Sequence, residues 1–168
     1  MRKAILGAAT AFVGVLFAAP ASADEVHFEA MGGVHWDSHH SEAVAGLAAG
    51  YDFDLSDTIF VGAEMTAEKI LKSGKDVHFG TAARIGIFPV GHDRLYVLAG
   101  HTFGSHGVWN AGAGYEHAMA EHIFLKAEYR QFFEHGDNGH AVLLGIGMMF
   151  ARNMRSAGHE TAYSGGHH

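Results

Sequence analysis

The sequence predicts an all-β fold, an eight-stranded antiparallel up-and-down transmembrane β-barrel that follows a cleaved signal peptide. Three observations predict it. The chain begins with a short basic segment and an apolar run, the remainder alternates between apolar and small or charged residues, and short polar connections recur at regular intervals.

The composition fits one folded domain and excludes several classes of protein. The chain has 168 residues, 48% of them hydrophobic, and its 23 glycines follow no Gly-X-Y repeat, so neither disorder nor a collagen-like fold is expected. The absence of cysteine excludes disulfide frameworks and thiolate metal sites. A net charge of -7 without a basic stripe argues against nucleic acid as a partner.

Residues 1–23 have the pattern of a secretory signal peptide. Arg2 and Lys3 precede an apolar run over 5–17, and Ala21-Ser22-Ala23 offers small residues for cleavage before Asp24. The run is shorter than the roughly 20 residues that a membrane-spanning helix needs. We therefore expect cleavage, and export of the mature chain across the inner membrane.

After Asp24, apolar residues recur with a period of two, most clearly in 59–66 and 123–130. Turn residues divide this part of the chain into eight predicted strands: 26–37, 42–54, 58–70, 76–88, 94–103, 107–117, 121–133 and 140–150. Connections this short allow only antiparallel neighbours, and closing the sheet removes its exposed edges. The sequence therefore predicts a barrel over 24–150.

The residue types on the two faces of the predicted strands indicate which face lines the interior of the barrel. A soluble barrel would carry charges along its water-facing side on every strand, but here the non-aromatic face is mostly small, as in 44–50 and 141–147. Small side chains suit the narrow interior of an eight-stranded barrel. We expect the charges on this face to pair and plug the lumen: Glu29, Glu64, Arg84, Lys126, Glu128 and Arg130.

The opposite face predicts contact with lipid, because aromatic residues stand near both ends of the strands with apolar residues between them. With the N-terminus in the periplasm, the predicted outer girdle is Trp36, Phe79, Phe103, Trp109 and Tyr129. The predicted inner girdle is Phe28, Tyr51, Phe53, Tyr115 and Phe150.

Several stretches in order add a resemblance: FGTAARIG at 79–86, DRLYVLAG at 93–100, GAGYEHA at 112–118, LKAEYR at 125–130 and a last strand that ends at Phe150. Together they resemble the opacity-type family of small outer-membrane barrels, which includes the Omp25-like surface proteins of alphaproteobacteria. The resemblance implies a Gram-negative outer-membrane barrel for envelope integrity or surface contact, without enzymatic activity. We expect a monomer whose partners are membrane lipid, lipopolysaccharide and, during insertion, the barrel-assembly machinery.

Two features depart from that family. Its members typically end at the aromatic residue that the insertion machinery reads, whereas residues 151–168 follow Phe150 here and are predicted to be a disordered periplasmic tail. The outward loops are also shorter than the variable loops that relatives use for adhesion. Structural or surface contact is therefore favoured over adhesion.

Histidine is unusually frequent, with 15 residues, and many of them fall at the predicted outer rim. Neutral imidazoles can bind zinc or copper, and the loops of all four hairpins meet around the mouth of such a barrel. The candidate ligands are His35, His39, His40, His106, His135 and His140. The alternative is that these histidines are polar loop residues, because no spacing such as HExxH is present.

A lipid A-modifying enzyme is a further alternative. Ser38 and Ser41 flank His39 and His40, and Ser105 precedes His106, so serine and histidine lie side by side at the rim. No His-x-Ser-Asn stretch of the deacylase type occurs, and turns commonly combine these residues. The prediction is therefore a barrel without catalytic residues.

Overall fold

The computed structural model describes residues 25–72, 74–103, 107–133 and 138–151, with Ala151 described by its backbone alone. The predicted signal peptide at 1–23 lies outside the described residues, as does the predicted tail beyond Ala151. Among the described residues, no helix has the length and hydrophobicity needed to cross a bilayer.

Eight antiparallel strands pair in sequence order, and β1 pairs with β8 to close the sheet. The strands are β1 (Glu25–Trp36), β2 (Ser41–Asp54), β3 (Ile59–Ile70), β4 (Val77–Ile87), β5 (Arg94–Phe103), β6 (Val108–Ala120), β7 (Ile123–Phe133) and β8 (Asn138–Ala151). The predicted eight-stranded antiparallel barrel is confirmed. Both β1 and β8 have their free ends at the same end of the barrel, which we call the terminal end; the other is the hairpin end.

Most predicted strand boundaries differ from the observed ones by no more than one residue, and three differ by two or three: the end of β6, the start of β7 and the start of β8. β6 continues to Ala120 instead of ending at 117, because an irregularity between Ala118 and Ala120 keeps it paired with β7. β8 begins at Asn138 instead of 140, since Asn138 already pairs with Phe133. Small residues at the first place (Ala118 and Ala120) and turn-forming residues at the second (Asn138 and Gly139) belong to the ladder, so residue type alone made both connections too wide.

Burial alternates residue by residue along most strands, as expected for a sheet with different surroundings on its two faces. In β7, for example, Phe124, Lys126 and Glu128 are buried while Leu125 and Ala127 are exposed. The exposed residues are the apolar ones and the buried residues include the charged ones. This polarity is the reverse of that in a soluble globular protein.

The interior also contains two apolar clusters. One, made of Met31, Val44, Ala48, Phe132, Ala141 and Leu143, fills the lumen toward the hairpin end. The other contains Phe60, Ala82, Tyr96 and Leu98, with Phe88 packed against it. Glycines make room for these large side chains: a methyl group on Gly114 would overlap the Tyr96 ring, and one on Gly147 would overlap the Phe124 ring.

Candidate functional site: the charged interior and the outer surface

Arg84 lies at the centre of the charged interior. Its Nε donates to Asp52 Oδ1 at 2.9 Å and its Nη1 donates to Glu116 Oε1 at 2.6 Å. Its Nη2 contacts Asp52 and lies 3.2 Å from Nδ1 of His27. The guanidinium also faces the Tyr96 ring at 5.1 Å. The planar five-donor group thus joins residues from four strands at a buried position.

Arg94 closes the terminal side of this network. Its two terminal nitrogens donate to the two oxygens of Glu25 at 2.5 and 2.6 Å, a bidentate pair that joins β5 to β1 across the lumen. Nη1 also lies 3.4 Å from Asp52 and 3.5 Å from Glu116. Arg84 and Arg94 therefore share two carboxylates.

Lys126 and Arg130 on β7 form the second half of the network. Lys126 Nζ contacts Glu29 and lies 3.4 Å from Glu64 and 3.5 Å from Glu128. Arg130 contacts Glu128, donates to Glu64 Oε1 at 3.0 Å and to Glu68 Oε1 at 3.1 Å. Glu64 also lies 3.9 Å from Arg84, so it joins the two halves.

All six charged residues that the sequence places in the lumen are buried and belong to these contacts. The buried set is larger than that list and unequal in sign, with six acidic and four basic side chains. The additional members are Glu25, Asp52, Arg94 and Glu116, together with the buried His27 and Tyr96, whose hydroxyl donates to Glu128 at 2.5 Å. All of them lie at the alternate positions of their strands that are predicted to face inward. Most are near strand ends, and for this reason they are not included in the predicted lumen network.

One part of this network has the composition of a metal site. Glu25, His27 and Asp52 have donor atoms within 4.8 Å of one another, and they are the only such group among the described residues. The oxygens of Glu25 are bound by Arg94 and those of Asp52 by Arg84, while Nδ1 of His27 faces Arg84. Because two guanidinium groups occupy these ligands, the arrangement is an ion-pair network and not an open cation site.

The outer surface is apolar in the middle and aromatic at both ends. Leu144 and Ile146 are among the most exposed large residues of the strands, at 63% and 56%. All ten residues predicted for the girdles are exposed or half-buried on this face. Near the hairpin end Trp36 stacks on His140 at 5.6 Å, and near the terminal end Phe28 packs against Phe150 at 6.2 Å.

The described rim histidines point in different directions. His35 packs against Phe132 inside the barrel at 5.3 Å, whereas Nδ1 of His140 is 2.7 Å from the Tyr129 hydroxyl on the outside. His39 and His40 are exposed in the β1–β2 turn, which Asp37 caps by accepting their backbone N–H groups at 2.7 Å. These bonds hold the pKa of Asp37 below its usual range.

His106 and His135 lie outside the described residues, as does Ser105. The described candidates do not come together as one set of ligands, because His35 faces the lumen and His140 faces the outer surface. Zinc or copper binding at the rim stays a prediction.

A turn at the terminal end contains a second, exposed set of polar contacts. Asp93 accepts hydrogen bonds from the Tyr115 hydroxyl at 2.5 Å and from the backbone N–H of Ala118 at 3.1 Å, and it lies 3.0 Å from Nδ1 of His117. These donors lower the pKa of Asp93 to about 2, with the Tyr115 bond as the largest cause. The turn before β5 is thereby fixed to β6.

The barrel is similar to solved bacterial outer-membrane proteins. The N-terminal β-barrel domain of OprF from Pseudomonas aeruginosa is 20% identical, with a TM-score of 0.58 over 76% of this chain and 98% of that one. Ail, the attachment invasion locus protein of Yersinia pestis, is 16% identical, with a TM-score of 0.57 over 75% and 97%. Neisserial surface protein A is 14% identical, with a TM-score of 0.51 over 75% and 96%.

No family model matches the sequence, and no curated protein matches it either. At these identities the similarity to solved structures establishes the fold, which is that of small outer-membrane barrels.

Proposed function

We propose that this protein is an integral outer-membrane barrel of a Gram-negative cell, with a structural or surface-contact role and an interior closed by ion pairs. The observation that carries the proposal is the reversed polarity of the barrel. Its interior holds ten buried charged residues, six acidic and four basic, while Leu144, Ile146 and Val97 are more than half exposed outside. In water such an exterior would aggregate, whereas in a bilayer it is the stable arrangement.

The aromatic girdles support the same location. Tyrosine and tryptophan favour the boundary between headgroups and acyl chains, and the two bands stand on either side of the apolar strip. The closed ladder leaves no unpaired strand edge among the described strands, as a lipid environment requires. This shape suits a monomer surrounded by lipid, inserted by the barrel-assembly machinery.

The position of the chain ends supports one orientation in the membrane. β1 begins and β8 ends at the terminal end, so an exported chain with a periplasmic N-terminus has its hairpin end outside the cell. The hairpin connections face lipopolysaccharide and the medium in this orientation. The order of residues over 79–150 favours the opacity-type family within the outer-membrane barrels.

A closed interior is supported by an apolar cluster and by ion pairs in the lumen. Toward the hairpin end, Met31, Phe132 and Leu143 pack together with side chains no more than 8% exposed. In the rest of the lumen, the ion pairs of Arg84, Lys126 and Arg130 cross between strands. Buried charges are tolerated when each has partners, and these partners occupy the space that hydrated ions would need.

Two measurements test the proposal separately. A closed membrane barrel refolded into lipid vesicles should migrate differently on gels with and without boiling, and a chain that does not insert or show this shift would contradict the membrane assignment. In planar bilayers we expect no large steady openings. Steady conductance in a protein that still shows the gel shift would contradict only the closed interior.

A further inference from the structure

The positive charges of the barrel fall into two separate groups. Four basic residues are buried in the lumen. The remaining basic residues of the described part of the chain are Lys69, Lys72 and Lys75, all at the β3–β4 connection. We call these three residues the lysine hairpin. Every exposed basic side chain of the described residues therefore lies on one side of the hairpin end.

Lys69 lies on the lipid-facing side of β3. It stands opposite Ala45 on β2 and Val77 on β4, and the neighbouring pair on the same face is Ala67 with the girdle residue Phe79. These residues have the parity of the exposed apolar face. Lys69 therefore lies at the boundary between the apolar strip and the rim of the barrel.

Leu71 and Val77 extend this apolar surface beside the lysines, with 62% and 46% of their surface exposed. Gly74 allows the tight connection between them, because its φ of 83° is a conformation that other residues rarely adopt. The lysine hairpin therefore combines exposed positive charge with exposed apolar side chains.

Nearby carboxylates neutralise only part of this charge. Glu42 binds Lys72 Nζ at 2.6 Å, and Asp76 follows Lys75 in the sequence. Glu68, although adjacent to Lys69, lies on the inward face and binds Arg130. On the side facing lipid, the positive charge of Lys69 is therefore not neutralised by the carboxylate of Glu68.

We propose that the lysine hairpin is a binding site for a phosphorylated glycolipid of the outer leaflet. Its phosphate would contact Lys69 and Lys75, and its acyl chains would cover Leu71, Val77 and Phe79. The inference rests on the proposed function, since it requires the hairpin end to face the outer leaflet. Lysines near a membrane surface attract anionic headgroups, and the adjoining apolar face adds an interaction that free phosphate cannot make.

The test compares variants with matched charge. K69Q/K75Q removes two positive charges from the lysine hairpin and leaves the Lys72–Glu42 pair in place, whereas R152Q/R155Q removes two from the C-terminal segment. Purified full-length barrels in zwitterionic detergent are titrated with bisphosphorylated lipid A. We expect affinity to fall about fivefold for each lysine removed, or roughly 25-fold in K69Q/K75Q, and to change less than about twofold in R152Q/R155Q.

Two further binding measurements distinguish the phosphorylated glycolipid from free phosphate and from the acyl chains alone. Lipid A without phosphates should bind much more weakly than the bisphosphorylated form, and inorganic phosphate at equal concentration should not compete. The inference is overturned if the wild type does not bind lipid A, if K69Q/K75Q binds as tightly as the wild type, if phosphate-free lipid A binds equally, or if inorganic phosphate competes. A barrel that fails any of these arms but retains the boiling-dependent gel shift leaves the proposed function standing.

Discussion

Lys126 illustrates how much a single residue depends on its surroundings in this barrel. Its ammonium group is fully buried among Glu29, Glu64 and Glu128, which come from three different strands. Lys72, by contrast, binds one carboxylate at the rim and has a side chain that is 57% exposed. The same residue type therefore neutralises several buried charges in one place and a single solvated charge in the other.

Replacing Lys126 by methionine should destabilise the barrel strongly, because it leaves three buried carboxylates without their shared cation. Removing one partner from a buried ion pair typically costs about 3–5 kcal/mol in the free energy of unfolding. Lys72→Gln is the matched control, for which a loss of at most about 1 kcal/mol is expected. Urea unfolding of both variants in lipid vesicles measures the difference, and equal small losses would show that the lumen charges are already solvated.

The lowered pKa of Asp93, at the terminal end, predicts that the stability of the barrel depends on pH. Its pKa is lowered from 3.8 to about 2 in the folded barrel, so its ionised form is favoured by folding. This contribution to stability is fully present above the ordinary pKa and is lost as the pH falls through about 2. Asp93→Asn should therefore lower the thermal unfolding midpoint at pH 7, and the gap to the wild type should narrow as the pH falls from 4 to 2.

Asp76→Asn is the control for this experiment, since Asp76 is an exposed aspartate in a connection at the opposite end of the barrel. Its midpoint should follow that of the wild type more closely at pH 7. A gap between Asp93→Asn and the wild type that stays constant down to pH 2 would exclude the ionised Asp93 as its cause.

Among the strands, the inward faces alternate between large side chains and glycine. Tyr96 on β5 lies against Gly114 on β6, and Phe124 on β7 lies against Gly147 on β8. An eight-stranded barrel has an interior just wide enough for its side chains, so each large residue needs a small neighbour. The glycine content of the sequence is therefore partly a packing requirement.

Gly147→Ala should destabilise the barrel, because the added methyl group would overlap the buried Phe124 ring. Overpacking of this kind costs about 1–3 kcal/mol. Gly32→Ala is the matched control, since its methyl group would meet only the Val44 carbonyl oxygen at 3.6 Å, an ordinary contact. Urea unfolding of the two variants in vesicles checks the prediction, which fails if both alanines have the same effect.

The depth of the entire barrel in the bilayer can be measured with its own fluorophores. The chain has two tryptophans, and both are outer-girdle residues. In Trp36→Phe the emission comes from Trp109, which is 66% exposed on the lipid-facing side. We expect lipids brominated near the glycerol to quench this emission more than lipids brominated near the chain ends, because tryptophan favours the interface.

Trp109→Phe gives the complementary measurement on Trp36, which lies in the same girdle on β1. Both variants should give the same depth. Stronger quenching by the deep bromines, or none by either lipid, would contradict the proposed placement of the girdles.

The number of strands, the parity of each strand and the reversed polarity of the barrel all follow from the amino-acid sequence. Each of these depends on local information: side chains alternate across a strand, and short connections permit only antiparallel neighbours. For this reason the positions of Glu64, Arg84 and Lys126 along their strands are enough to assign them to the interior. The same parity applies to Glu25, Arg94 and Glu116, but their places near strand ends obscure their burial.

Which charges meet is a property of the closed barrel. Arg94 binds Glu25 from 69 residues away, and Arg130 binds Glu64 from 66 residues away. These pairs depend on how the strands are staggered when the sheet closes, a property of all eight ladders together and of no single segment. Closure also brings His35 against Phe132 in the lumen and Trp36 against His140 on the outer surface, because a period of two fixes the face of a residue while only the closed cylinder fixes its neighbours.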